Sequence, residues 1–116
     1  MNINRIVPDL HSSKMEESKA FYAEFLGLTL QMDMGWVATL VSPSNPAAQI
    51  TLLEASGTKA IQPDVSIEVD DAAALHAEAV KRGLEVVYPL TEEPWKVRRF
   101  FVKDPSGHII NIVSHC

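Results

Sequence analysis

Ala20-Phe21-Tyr22-Ala23-Glu24-Phe25-Leu26-Gly27-Leu28 is the stretch on which the fold turns. With Met15 before them, Ala20, Phe21 and Phe25 form an apolar stripe at near-helical spacing. Gly27 stands where a helix ends in a left-handed residue, a conformation that costs glycine little. The same ending returns later in the chain, where Leu75-His76-Ala77-Glu78 runs on to Gly83-Leu84. An internal repeat of this kind constrains a fold more than any single element does.

The segments around the two helices repeat as well. Residues 4–10 read as a strand, and Ser13-Lys14-Met15-Glu16 has the pattern of a capping box opening a helix to about Leu26. His11 then falls in the turn before that helix. Strand-like segments follow at residues 28–32, 36–41 and 49–54, with turns at 33–35 and 42–46. Residues 55–63 form a connection bearing Gly and Pro. Val65-Ser66-Ile67-Glu68-Val69 alternates strictly and predicts a half-buried strand. Asp70 or Asp71 caps a helix over residues 72–82. Strands at 84–88, 97–103 and 108–114 complete the chain, with a loop at 91–94 and a tight turn at Asp104-Pro105-Ser106-Gly107. Each half therefore reads β-α-β-β-β: one about residues 1–56, the other about 63–116, within a single domain.

Composition narrows the function. The chain has 116 residues, 47% hydrophobic and 22% charged, with a net charge of −5. That balance argues against nucleic acid, which needs clustered Lys and Arg. The basic residues gather only at Lys81-Arg82 and between Lys96 and Lys103. No apolar run approaches the roughly 20 residues of a membrane span, and the first ten residues carry no apolar signal core. The one cysteine, Cys116, forms no disulfide within the chain and fits a reducing compartment. A soluble cytoplasmic protein is expected, without membrane or nucleic-acid partners.

A second stretch, Arg99-Phe100-Phe101-Val102-Lys103-Asp104-Pro105-Ser106-Gly107-His108-Ile109-Ile110-Asn111-Ile112, joins the first. The helix ending resembles the "FY...LG" signature of the glyoxalase / bleomycin-resistance / extradiol-dioxygenase (vicinal oxygen chelate) superfamily. The second stretch is similar to that superfamily's aromatic-x-x-D-P-x-G ending. The resemblance covers nearly the whole chain. It implies an α+β fold in which two βαβββ modules form a curled mixed sheet around a cleft, with helices on the convex face. It also implies a homodimer.

Members that carry out metal chemistry hold a divalent ion with His, Gln or Glu from the first and last strands of each module. The aligned positions here are Val7, Thr51, Asp64 and Asn111. Val7 cannot ligate, Thr51 and Asn111 are neutral, and only Asp64 is a strong donor. None of His11, His76, His108 and His115 has a local ligand spacing with another, so no metal and no cofactor are expected.

Strand alternation under the family register predicts what lines the cleft instead. Val37, Thr39, Gln49 and Thr51 come from the first module. Asp64, Ser66, Arg99, Phe101 and Asn111 come from the second, with Trp95, Trp36 and Tyr88 near the rim. Phe100, Val102, Ile110 and Ile112 take the helix side. Rings supply contact area and a few polar groups supply orientation, as in a small-molecule pocket. Arg99 is placed either to bind an anionic or carbonyl group or to pair with Glu68, Glu92 or Glu93. The resemblance then implies a binding protein of the bleomycin-resistance kind, sequestering an antibiotic or other aromatic compound in a dimeric cleft without a protein-held metal. The basic segment from Lys96 to Arg99 points to a ligand less cationic than bleomycin. The alternative is a lyase, isomerase or dioxygenase of the same superfamily with an altered metal site, in which Asp64 serves as base or lone ligand. A plain dimerisation module is a third option.

Overall fold

The structure, a computed structural model, describes residues 2–55 and 60–116. The elements follow the order β1 (Ile3–Ser12), α1 (Met15–Ala20) running into a π-helical turn (Phe21–Phe25), β2 (Thr29–Asp33), β3 (Val37–Ser42), β4 (Asn45–Glu54), β5 (Val65–Val69), α2 (Ala72–Lys81), β6 (Val86–Glu93), β7 (Val97–Lys103) and β8 (Ile109–His115). The chain is α+β, as expected. The connection predicted at 55–63 includes residues 56–59, which lie outside the described residues.

The backbone divides into two compact units, Val7–Ala60 and Ile61–Cys116, and residues 2–6 group with the second. Those first residues of β1 run beside β5. There Asn4 Nδ2 donates to Asp70 Oδ1 at 3.0 Å, and Arg5 pairs with Glu68 at 3.4 Å. The linear reading had placed residues 2–6 in the first module.

The two units share one topology. In the N-terminal module the strand order is β2-β3-β4-β1, with β1 and β4 parallel and the other pairs antiparallel. In the C-terminal module β6-β7-β8-β5 repeats it, with β5 and β8 parallel. A parallel pair needs a crossover, and the helix of each module supplies it.

In the N-terminal module Ala38, Leu40 and Leu52 share one face of β3 and β4. They pack on Met15, with Tyr22, Ala23, Leu28 and Ile50 around them. Leu40 is fully buried. The helix reaches Phe25 much as the stripe predicted, but its second half is π-helical. The expected capping box does not form. Lys14 occupies the N-cap with no side-chain bond. Ser12 Oγ instead accepts from Lys14 N and bonds Ser18 Oγ at 2.8 Å. β1 runs to Ser12, so His11 lies in the strand and not in the turn. The predicted turn 42–46 shrinks to Pro43-Ser44, because Ser42 already pairs with Asn45.

In the C-terminal module Asp71 caps α2, accepting from Ala74 N at 3.1 Å. Ser114 Oγ accepts from Ala72 N, and the His76 ring meets Phe100 edge-on at 5.1 Å. These contacts place α2 on the Phe100 side of β7 and the Ser114 side of β8. The predicted loop 91–94 is mostly strand. β6 extends to Glu93 because Thr91, Glu92 and Glu93 pair with Arg99, Arg98 and Val97. The Asp104 turn forms as predicted. Gly107 N donates to Asp104 O, and Asp104 Oδ1 accepts from Ser106 N and His108 N.

One buried cation fastens α1 to β2. Lys19 is 7% exposed, and its Nζ donates to Glu16 at 2.8 Å and to both oxygens of Asp33. The hydrogen bonds it donates, first to Glu16 and then to Asp33, hold the ammonium above its ordinary pKa. The Lys19 hydrogen bond, then the Gly35 N–H, hold the Asp33 carboxyl below its own. A depressed carboxyl contributes stability that is present above the ordinary carboxylate range and lost as pH falls through the folded value. The raised Lys19 contributes stability lost only as pH rises past the ordinary ammonium value. Asp33→Asn should therefore flatten the acid side of the stability curve, leaving a smaller drop in the urea midpoint from neutral pH down through the carboxylate range. An unchanged slope would show that the pair carries no linkage. Leu40→Ala should lower unfolding free energy by about 2–5 kcal/mol, read from urea denaturation.

Candidate functional site

The helix-free face of the C-terminal module carries the densest polar and aromatic grouping. Residues directly opposite one another in a sheet share a face, so the register defines its rows. Tyr88, Phe101, Asn111 and Ser66 form one row across β6, β7, β8 and β5. Thr91, Arg99, Val113 and Glu68 form the next. Because β7 alternates, Phe100 goes to the helix and Arg99 and Phe101 do not.

Arg99 is the centre of the grouping. Its guanidinium carbon lies 5.0 Å from the Phe101 ring centroid, 5.2 Å from that of Trp95 and 5.3 Å from that of Tyr88. All three are within cation–π reach. Its Nε donates to Glu93 Oε2 at 2.6 Å, and Tyr88 OH donates to the same oxygen at 3.0 Å. The Tyr88 and Phe101 rings lie 4.7 Å apart. Of the three pairings open to Arg99 in the sequence, Glu93 is the one formed, and it coexists with the ring contacts. Arg98 pairs with Glu92. The basic segment is thereby largely neutralised by the end of β6.

Trp95 reaches Arg99 from the turn joining β6 to β7. It is 55% exposed, which fits a rim position. Lys96, next to it, has a positive φ of 68°. That backbone is unfavourable for a residue with a Cβ. Two hydrogen bonds hold it there: Lys96 N donates to Glu93 O, and Lys96 O accepts from Cys116 N, both at 3.0 Å.

Asn111 lies deeper. Its Nδ2 donates to Ser66 Oγ at 2.9 Å, while its buried Oδ1 has no donor among the described residues. Asp64, just before β5, is exposed. Its N–H donates to Ile109 O and its Oδ2 accepts from Ile109 N, so it closes the end of the β5–β8 pair.

The N-terminal module presents Val37, Thr39, Gln49 and Thr51 on the face opposite α1. The register sets Thr39 against Thr51 and Val41 against Gln49. Gln49 and Val37 are each 9% exposed. The same face holds Asp9, buried to 6% exposure with its Cα opposite Thr51. Asp9 escaped the sequence reading, although it follows Val7 by two residues, the strand period that carries one side chain after another to the same face. Glu93 is open in the sequence only as one of three partners for Arg99, and β6 extends to bring it there. Glu68 was named only as a partner of Arg99; it instead receives Arg5 and His115.

A family model matches residues 2–112. The chain belongs to the Glyoxalase/Bleomycin resistance protein/Dioxygenase superfamily. Solved structures share its fold at low identity. A superfamily member from Vibrio splendidus is 16% identical with TM-score 0.76, over 97% of this chain and 99% of that one. A methylmalonyl-CoA epimerase from Mycobacterium tuberculosis is 20% identical with TM-score 0.68, over 98% and 87%. A Mn(II)-bound glyoxalase from Novosphingobium aromaticivorans is 19% identical with TM-score 0.68, over 97% of this chain but 38% of that one. No curated protein matches the sequence.

The residues at the superfamily's metal positions do not fit a divalent ion. Val7 offers an alkyl group and Thr51 a hydroxyl. Asn111 has its amide nitrogen on Ser66, and the Asp64 carboxylate is engaged with a backbone N–H. A structural or catalytic ion needs three or four good donors. Among the described residues no three His, Cys, Asp or Glu side chains come together.

Arg99→Met should leave Glu93 without its cation, at 9% side-chain exposure. The expected loss is about 2 kcal/mol of unfolding free energy. Adding Glu93→Gln should recover part of it, and strict additivity in urea denaturation would show that the pair is not coupled.

Proposed function

We propose that this protein binds a small aromatic ligand against the Arg99 face of its C-terminal module and acts by sequestration, without a protein-held metal. The observation that carries this reading is the single guanidinium set among Phe101, Trp95 and Tyr88, with its charge balanced by Glu93. Rings of this kind supply stacking area, and a neutralised guanidinium is itself a flat stacking surface. The exposed Trp95 supports the reading, since a large apolar ring left in solvent is a ready contact for a flat molecule. Ser66 and Asn111 share that role, and Val37, Thr39, Gln49 and Thr51 are proposed to contact ligand on the N-terminal module's own face. Asp64 is assigned to closing the β5–β8 end. In the enzyme alternative Asp64 is the base, and there its Oδ2 also accepts from Ile109 N.

The protein is further proposed to act as a homodimer, in keeping with its superfamily. Phe21 and Phe25 stack 5.3 Å apart on the outside of the π-helical turn, and Leu26 beside them is also exposed. No helix among the described residues is long and apolar enough to cross a membrane.

The test is a fluorescence titration of Trp36→Phe protein, in which Trp95 is the remaining tryptophan. A panel of planar aromatics, including bleomycin, should contain a compound that quenches Trp95 saturably. Trp95→Ala, followed by calorimetry, should weaken that compound by roughly 10-fold. Absence of any saturable response across the panel, or a stoichiometric tightly held metal in the purified protein, would overturn the reading.

A further inference from the structure

Asn111 is 6% exposed, and its Oδ1 is the one buried side-chain polar atom without a partner among the described residues. Leaving a buried amide oxygen unpaired shifts an equilibrium by roughly 5- to 100-fold, so native proteins seldom do it without a use. The surroundings define what would satisfy it. Ser66 already takes the Nδ2 proton. Phe101 and Ser66 flank Asn111 in the row, and Tyr88 lies beyond Phe101. Most charges near it are paired, Glu93 with Arg99, Glu68 with Arg5 and His115, Lys103 with Glu85, while Asp64 accepts from the Ile109 N–H. A charged ligand would compete with these pairs. An uncharged hydrogen-bond donor breaks none and completes the amide.

We propose that the ligand of this face is a neutral, planar aromatic compound bearing an O–H or N–H, whose proton goes to Asn111 Oδ1 while its ring lies along Phe101, Arg99 and Trp95. The inference rests on the binding reading above and adds the chemical class to it. The succession Trp95, Arg99, Phe101, Asn111 leads from an exposed ring to the buried acceptor, with Arg99 centred 5.2 Å from the first ring and 5.0 Å from the second. Because Oδ1 has no exposed surface, the ligand displaces a covering side chain as it enters.

The test is calorimetric titration with three probes of one ring system: naphthalene, β-naphthol and the methyl ether of β-naphthol. β-Naphthol should bind roughly 10-fold tighter than either of the others. In Asn111→Leu that preference should fall to about 1, and in Asn111→Asp, which keeps the acceptor, it should persist. Equal affinity of naphthalene and β-naphthol would overturn the inference and leave the amide oxygen to water, with aromatic binding intact. Preference for the methyl ether over naphthalene would overturn it by showing that the amide presents its N–H. Failure of all three to bind would count against the binding reading itself. Should Asn111→Leu not fold by circular dichroism, the wild-type comparison of the three probes decides the matter alone.

Discussion

The antiparallel register of β7 against β8 is the constraint on which the C-terminal module depends. Phe101 faces Asn111 and Phe100 faces Ile112, so two adjacent phenylalanines go to opposite faces. One closes the contact with α2 and the other floors the ring cluster around Arg99. A slip of one residue would exchange them, burying Arg99 against the helix and turning Phe100 outward. Core and site are thus two sides of one pairing, and neither can be altered without the other.

Charge balance gives this face its character. Arg99 is ringed by aromatics but is not a bare cation, because its Nε donates to the same Glu93 oxygen that accepts from Tyr88 OH. Holding that carboxylate in place takes the extension of β6 to Glu93 and a turn whose Lys96 accepts an unfavourable backbone. Strain at such a position persists only where surrounding bonds over-determine it. Here the bonds to Glu93 O and Cys116 N do so. The turn thereby carries Trp95 to the guanidinium.

Superfamily membership fixes the fold and leaves the chemistry to the site. The fold is shared with a glyoxalase and an epimerase at identities of 19% and 20%, a level at which the backbone is informative and the chemistry is not. The donors that would hold an ion are replaced by Val7, Thr51 and Asn111, and Asp64 is tied to the backbone of Ile109. The proposed ligand face offers rings and one hydrogen-bond acceptor in place of those donors.

Most of the fold was legible in the chain itself. The helix endings at Gly27 and Gly83, the strict alternation of residues 65–69 and the Asp104 turn are local features, set by dihedral preference and by period. They led to the repeated β-α-β-β-β order, and alternation in the register that the family resemblance implies assigned Arg99, Phe101 and Asn111 to the face away from the helix. Other features depended on partners distant in sequence. Thr91–Glu93 looked like a loop because nothing local pairs them; β7 does. The capping box at Ser13 lost to Ser12, whose hydroxyl found Ser18. Which carboxylate would meet Arg99 was open among three, since charge has no period and only the folded register brings Glu93 to it. The sequence alone determined the order of elements and, by alternation, which residues of a strand share a face. The tertiary structure decided which of those residues touch, because contacts between strands are fixed by register, and register is a property of the assembled sheet.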